Sequence, residues 1–138
     1  MTDRVVCDAS VIVAALLDSG PDGQWAVARL TGVELHAPSL MQYECANVIR
    51  RLELGGTVGA DQAALAYADL LDLNITVWPY EVLGGRVWQL RQNLTSYDAA
   101  YVALAETLSA TLITLDRRIP RCPEVECAIA TPPRLRRR

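Results

Sequence analysis

The residues of this chain best suited to chemistry are four carboxylates, Asp8, Glu44, Asp98 and Asp116, spread across nearly its whole length. Asp8 closes the short apolar run Val5-Val6-Cys7, and Asp116 follows Thr111-Leu112-Ile113-Thr114. Glu44 sits in a helical pattern. At ~100° per residue, Leu40, Met41, Cys45, Val48, Ile49 and Leu52 form one stripe, and Glu44 falls on its edge between Leu40 and Val48. A carboxylate aimed partly inward needs an ion pair, a hydrogen bond or a metal. Arg51 lies two turns away and serves poorly, which leaves a metal or a water network.

Each of the other three acids also has a plain structural use. Asp8 could cap the following helix or face its dipole. Asp98 shares capping-box spacing with Thr95 and would sit in a first helical turn. Asp116 could be a turn residue ahead of Arg117-Arg118. Taken together they suggest more. Carboxylates brought within a few ångströms raise one another's pKa unless a cation neutralises them. Oxygen-only ligands select hard ions such as Mg²⁺ or Mn²⁺. A single histidine, His36, and four cysteines without a CxxC give no zinc pattern. An acidic pocket of this kind suits phosphodiester hydrolysis, in which a metal polarises the phosphate, activates water and stabilises the leaving oxygen.

For the acids to meet, the chain must alternate strands and helices. The pattern predicts strands at 5–7, 33–37, 75–78 and 111–114, with a weaker one near 127–129. Between them it predicts a helix capped by Ser10, a turn at 20–23, and a helix over 24–30. Ser39 and Gln42 have capping-box spacing for a helix that runs to Leu54 and ends at Gly55-Gly56. Further helices are expected over 60–71, 82–94 and, from Thr95, to Leu108. Such alternation points to a parallel sheet covered on both faces, with its site at the carboxyl ends of the strands. Asp8 and Asp116 stand there.

The totals set bounds. The 138 residues fit one domain, taken as 1–131 with a basic tail at 132–138. No apolar run reaches the ~18 residues that cross a bilayer, and the start lacks a signal-peptide pattern; a cytoplasmic protein is expected. Cys7, Cys45, Cys122 and Cys127 read as free thiols, with Cys122 and Cys127 the one pair to check for a disulfide. His36 reads as a bystander rather than a ligand. The net charge of −3 is uneven: residues 1–113 hold 13 acids and 6 arginines, residues 114–138 hold 3 acids and 7 arginines, and there is no lysine. A basic end could contact phosphate, although Arg134, Arg136, Arg137 and Arg138 after Pro132-Pro133 also fit a solvated tail.

Four segments carry a family resemblance: Val-Cys-Asp-Ala-Ser-Val-Ile-Val (6–13), Tyr-Glu-Cys-Ala-Asn-Val-Ile (43–49), Ser-Tyr-Asp-Ala-Ala-Tyr-Val-Ala-Leu-Ala (96–105) and Leu-Ile-Thr-Leu-Asp-Arg-Arg (112–118). In order and spacing the set resembles the signature segments of PIN domains, above all those of VapC-type toxins from bacterial toxin–antitoxin pairs. The resemblance implies a three-layer α/β/α fold with a mainly parallel central sheet, and a Mg²⁺- or Mn²⁺-dependent endoribonuclease. It places Asp8, Glu44, Asp98 and Asp116 at the acidic positions and Ser10, Asn47 and Thr114 at accessory polar ones. It further implies a homodimer, inhibition by a VapB-type antitoxin that lays a segment in the groove, and a structured RNA substrate such as transfer or ribosomal RNA. Some members carry a further acid after the fourth aspartate. Here Arg117 and Arg118 stand there, so one or two metals remain open, and these arginines could instead position RNA phosphates.

Rival readings fare worse. A phosphotransfer receiver domain and a haloacid-dehalogenase-type phosphatase each require a lysine, and the latter also an aspartate where Ser10 stands. A 5′-nuclease would need a helical-arch insertion for which the chain has no room. The non-enzymatic alternative is a degenerate PIN module for RNA or protein binding, against which the presence of all four acids counts.

Overall fold

The computed structural model describes residues 2–134. Arg136, Arg137 and Arg138 of the expected basic tail therefore lie outside the described residues. The elements follow the order β1 (Arg4–Cys7), α1 (Ala9–Leu17), α2 (Pro21–Leu30), β2 (Glu34–Pro38), α3 (Leu40–Leu54), α4 (Ala60–Asp72), β3 (Ile75–Trp78), α5 (Gly84–Gln89), α6 (Ser96–Leu108), β4 (Thr111–Ile113) and β5 (Ile129–Ala130). Short 3₁₀ turns occupy Tyr80–Val82 and Ile119–Arg121.

All five strands are parallel, in the order β3-β2-β1-β4-β5. The chain leaves β1 toward β2 and β3, then returns past β1 to β4. α1 to α4 pack against one another and α5 packs against α6, the two groups that right-handed crossovers would set on opposite faces of the sheet. The strand order thus reverses between β1 and β4, and the crevice at their carboxyl ends is the place where open α/β sheets bind ligands. The register is set by Val6 beside Leu112 and Cys7 beside Ile113, so Asp8 and Thr114 are next-door neighbours at that edge.

The core is aliphatic, as the absence of Phe requires. Val6, Val11, Ile12, Leu104, Leu112 and Ile113 are almost wholly buried. α6 is buried nearly all round, through Ala99 to Ala105 and Leu108, and packs against β1, β2 and β4. Its small residues let it approach the sheet closely. α2 meets the end of α1 still more tightly: a Cβ on Gly23 would lie 1.6 Å from the Asp18 carbonyl oxygen.

Several local expectations change. α1 begins at Ala9 with Asp8 as its N-cap, two residues earlier than a Ser10 cap would allow. α2 begins at Pro21, because proline suits the first helical position and lacks only an N–H that would be unpaired there. Ser39 caps α3 without any side-chain hydrogen bond, so the expected capping box with Gln42 is not formed. Its N–H instead bonds the Trp78 carbonyl at 2.9 Å, and its backbone is already helical. The helix expected over 82–94 is split into the turn at Tyr80–Val82 and the short α5, after which the chain coils through Leu90–Leu94. All four cysteines are free, so Cys122 and Cys127 form no disulfide. His36 is a packed residue. Its Nδ1 accepts from Trp78 Nε1 (3.0 Å), which leaves the proton on Nε2 to be donated to Glu34 (2.6 Å).

Candidate active site

Asp8 ends β1 and turns into α1, where it is 8% exposed. Its Oδ1 accepts from the backbone N–H of Ser10 (3.0 Å) and Val11 (3.3 Å) and from the Ser10 hydroxyl. Its Oδ2 accepts from the hydroxyl of fully buried Thr114. Those two hydroxyls also tie Asp8 to the end of β4: Ser10 Oγ accepts from Leu115 N (3.3 Å), and Thr114 Oγ1 accepts from Asp116 N (3.0 Å). The capping use of Asp8 and its place at the site are therefore the same arrangement. Burial pushes its carboxyl pKa up, against the lowering effect of Ser10, Thr114 and the helix N–H groups.

Glu44 stands on α3, half-buried, and finds a partner that sequence reasoning missed: Tyr101 of α6 donates to its Oε1 at 2.5 Å. Its pKa is raised, first by burial and then by the charges of Asp8 and Asp98, while the Tyr101 hydrogen bond opposes. The phenol of Tyr101 is itself shifted well upward by burial and by Glu44, so it remains a neutral donor. Nothing local marks this tyrosine, which sits among alanines in an apolar helix and has its partner 57 residues away. Only the i, i+3 spacing from Asp98, which puts both on one helix face, could have pointed to it.

Asp98 lies in the first turn of α6, where its N–H donates to Thr95 Oγ1 (3.1 Å); Thr95 thus caps the helix, while the return bond from Thr95 N to Asp98 that would complete a capping box is absent among the described residues. Its pKa rises through burial and then the charge of Asp116, with Arg118 and Thr95 opposing. Asp116 behaves differently. Its Oδ1 accepts from Arg118 N (2.9 Å) and Nε (3.0 Å), and its Oδ2 from Arg118 Nη2 (2.7 Å). That bidentate arginine holds the Asp116 carboxyl below its ordinary range.

The four acids form a series of electrostatic neighbours, Asp8 with Glu44, Glu44 with Asp98, Asp98 with Asp116. Among the described residues no three are drawn into a tight ligand cluster as they stand. The donor set nonetheless fits a hard divalent ion: it is all oxygen, it is carried on strand ends and on α3 and α6, and burial holds three of its members above the ordinary carboxylate range, with neighbouring acids adding to the rise at Glu44 and Asp98. Of the accessory residues, Ser10 and Thr114 touch Asp8 directly. Asn47 is exposed on α3 one turn beyond Glu44, and among the described residues none of its hydrogen bonds reaches the acids. Arg117 is turned away, with Nη2 on the Pro132 carbonyl (2.8 Å), whereas Arg118 lies at the acids with its side chain 85% exposed.

A doubly wound parallel domain with an acidic site at its topological switch point is the class defined by this geometry. Residues 5–125 match the family described as PIN domain, and the chain belongs to that family. Ribonuclease VapC9 of Mycobacterium tuberculosis is 38% identical over 130 residues, covering 94% of this chain and 99% of the relative. Ribonuclease VapC1 of the same organism is 35% identical over 128 residues, covering 92% and 96%. Among solved structures, FitAcB from Neisseria gonorrhoeae superposes with a TM-score of 0.69 at 16% identity, over 93% of this chain and 97% of that one, which shows the shared fold.

Proposed function

We propose that this protein is a VapC-type toxin, an endoribonuclease that uses Mg²⁺ or Mn²⁺ to hydrolyse RNA at Asp8, Glu44, Asp98 and Asp116. What carries this reading is the run of electrostatic neighbours from Asp8 through Glu44 and Asp98 to Asp116, beside the carboxyl ends of β1 and β4, in a chain 38% identical to VapC ribonucleases along almost its full length. The four carboxylates would hold the ion, which when bound supplies Lewis acidity toward the scissile phosphate and the departing oxygen. Ser10 and Thr114 fix both oxygens of Asp8, so the strand-end carboxylate is oriented before any ligand arrives. Burial raises the pKa of Glu44 and Asp98 and so favours their binding a cation that neutralises them, and a carboxylate not engaged by the ion could accept the proton of the attacking water. Arg118, at the rim beside Asp116, is placed to meet an RNA phosphate once released from that carboxylate.

The partner reading is a VapB-type antitoxin, with the toxin itself a homodimer. The antitoxin is supported by the VapC relatives and by a mainly apolar groove between α3 and α4, of about 250 Å³, lined by Gln42, Tyr43, Ala46, Tyr67, Leu70 and Leu71. Such a groove accepts the apolar face of an amphipathic segment, and it borders the helix that carries Glu44. The RNA is read as structured, transfer or ribosomal, from the same family.

The test is cleavage of a defined RNA by purified protein with EDTA, Mg²⁺ or Mn²⁺, beside Asp98→Asn. Activity should require the metal, and the variant should lose at least about a hundredfold while keeping its folded circular dichroism spectrum. Full metal-dependent cleavage by a nuclease-free Asp98→Asn preparation would overturn the assignment.

A further inference from the structure

We propose that Tyr101 is a positioning residue of the metal site, holding the Glu44 carboxylate through Oε1 and leaving its charge available to the ion that it would help to hold. This rests on the reading of the four acids as metal ligands.

Tyr101 is 2% exposed, whereas Tyr43, Tyr67, Tyr80 and Tyr97 all stand in solvent. A phenol hydroxyl buried in an apolar helix is costly unless it is paired. Here its one proton goes to Glu44 Oε1, 2.5 Å away, and among the described residues no other hydrogen bond reaches that carboxylate. Tyr101 also lies one turn after Asp98, so a single face of α6 contributes one acid and the holder of a second. The bond joins α6 to α3 close to Asp8, whose charge acts on both partners.

The chemical identity of the donor matters. Arg118 orients Asp116 but brings a full positive charge that a metal must displace. A neutral phenol orients Glu44 and leaves its charge for the ion. Groups that orient a ligand in this way usually contribute about 10- to 100-fold to metal affinity.

Tyr101→Phe keeps the buried ring and removes only the donor. Calorimetric titration of the full-length protein with Mn²⁺ should show an affinity loss of about tenfold. RNA cleavage should fall at limiting Mn²⁺ and recover at saturating Mn²⁺, with the metal-free melting temperature little changed. A tyrosine with a purely structural role would lower the melting temperature and leave Mn²⁺ affinity untouched, and that result overturns the proposal. Glu44→Gln and Asp8→Asn separate the two layers: if they lose Mn²⁺ binding and Tyr101→Phe does not, only the positioning role fails. If none of the three loses it, the metal-site reading falls and the proposal falls with it. Should Tyr101→Phe not fold, ¹³C-labelled tyrosine in the parent protein gives the answer. The resonance of the one buried tyrosine should shift with Mg²⁺ along the binding isotherm, and a resonance that stays fixed overturns the proposal.

Discussion

Among individual side chains, the contrast between Asp116 and the other acids is instructive. Asp8, Glu44 and Asp98 are held above their ordinary pKa by burial, while Asp116 is held below it by Arg118. Arg118 occupies both oxygens of Asp116 and so competes with any cation for that ligand. Its side chain is 85% exposed, so the competition is screened by solvent and modest. Arg118→Ala should therefore tighten Mn²⁺ binding by about two- to fivefold, read by isothermal titration. Unchanged or weaker binding would mean that Asp116 is not a ligand. The same variant should weaken RNA association if the freed guanidinium meets phosphate, and running both titrations keeps the two effects separate.

Elements rather than residues decide which side chains can meet. The strand-end acids were legible because an apolar run followed by a carboxylate has a simple meaning in a parallel sheet. Glu44 was legible because its place on the apolar border of α3 demanded a partner. The identity of that partner was not, since Tyr101 reads as core from its neighbours and meets Glu44 only through the packing of α6 against the sheet edge. The Ser39 capping box failed for a related reason: the β2–β3 pairing that ends at Pro38 and Trp78 fixes the Ser39 backbone before its hydroxyl can act. Propensity placed α2 three residues late, and contact geometry explains its true start. From Pro21 the helix runs Gly23 directly over the Asp18 and Ala14 carbonyls. Backbone atoms cannot yield as a flexible side chain does. Gly23→Ala should thus separate α2 from α1 and cost about 3 kcal/mol or more, measured by urea denaturation. A parent-like midpoint would show that the two helices do not pack this closely in solution.

For the whole molecule, the proposed metal site makes a prediction about stability: gathering these carboxylates costs folding free energy that a bound divalent ion would offset. Three acids with raised folded pKa values bind more protons in the folded state than in the unfolded one, over the interval from the ordinary carboxylate range near ~4 up to their folded values. Stability in EDTA should accordingly fall as pH rises through that interval and then level off, because linkage sets the slope by the difference in bound protons. Asp116 acts in the opposite sense: its contribution is present above the ordinary range and is lost only as pH falls through its lowered folded value. On the proposed reading a divalent ion would bind the ionised carboxylates of the folded state alone, so its stabilisation would grow with pH and with free metal concentration. Thermal melts taken upward from the ordinary carboxylate range near ~4 should therefore decline with pH in EDTA until the raised carboxyls have ionised, and flatten or rise in millimolar Mg²⁺. In Glu44→Gln the decline in EDTA should shrink and the Mg²⁺ effect should weaken together, because one carboxylate is responsible for both. Parallel pH curves with and without Mg²⁺ in the parent protein would mean that the ion does not bind where these charges are gathered.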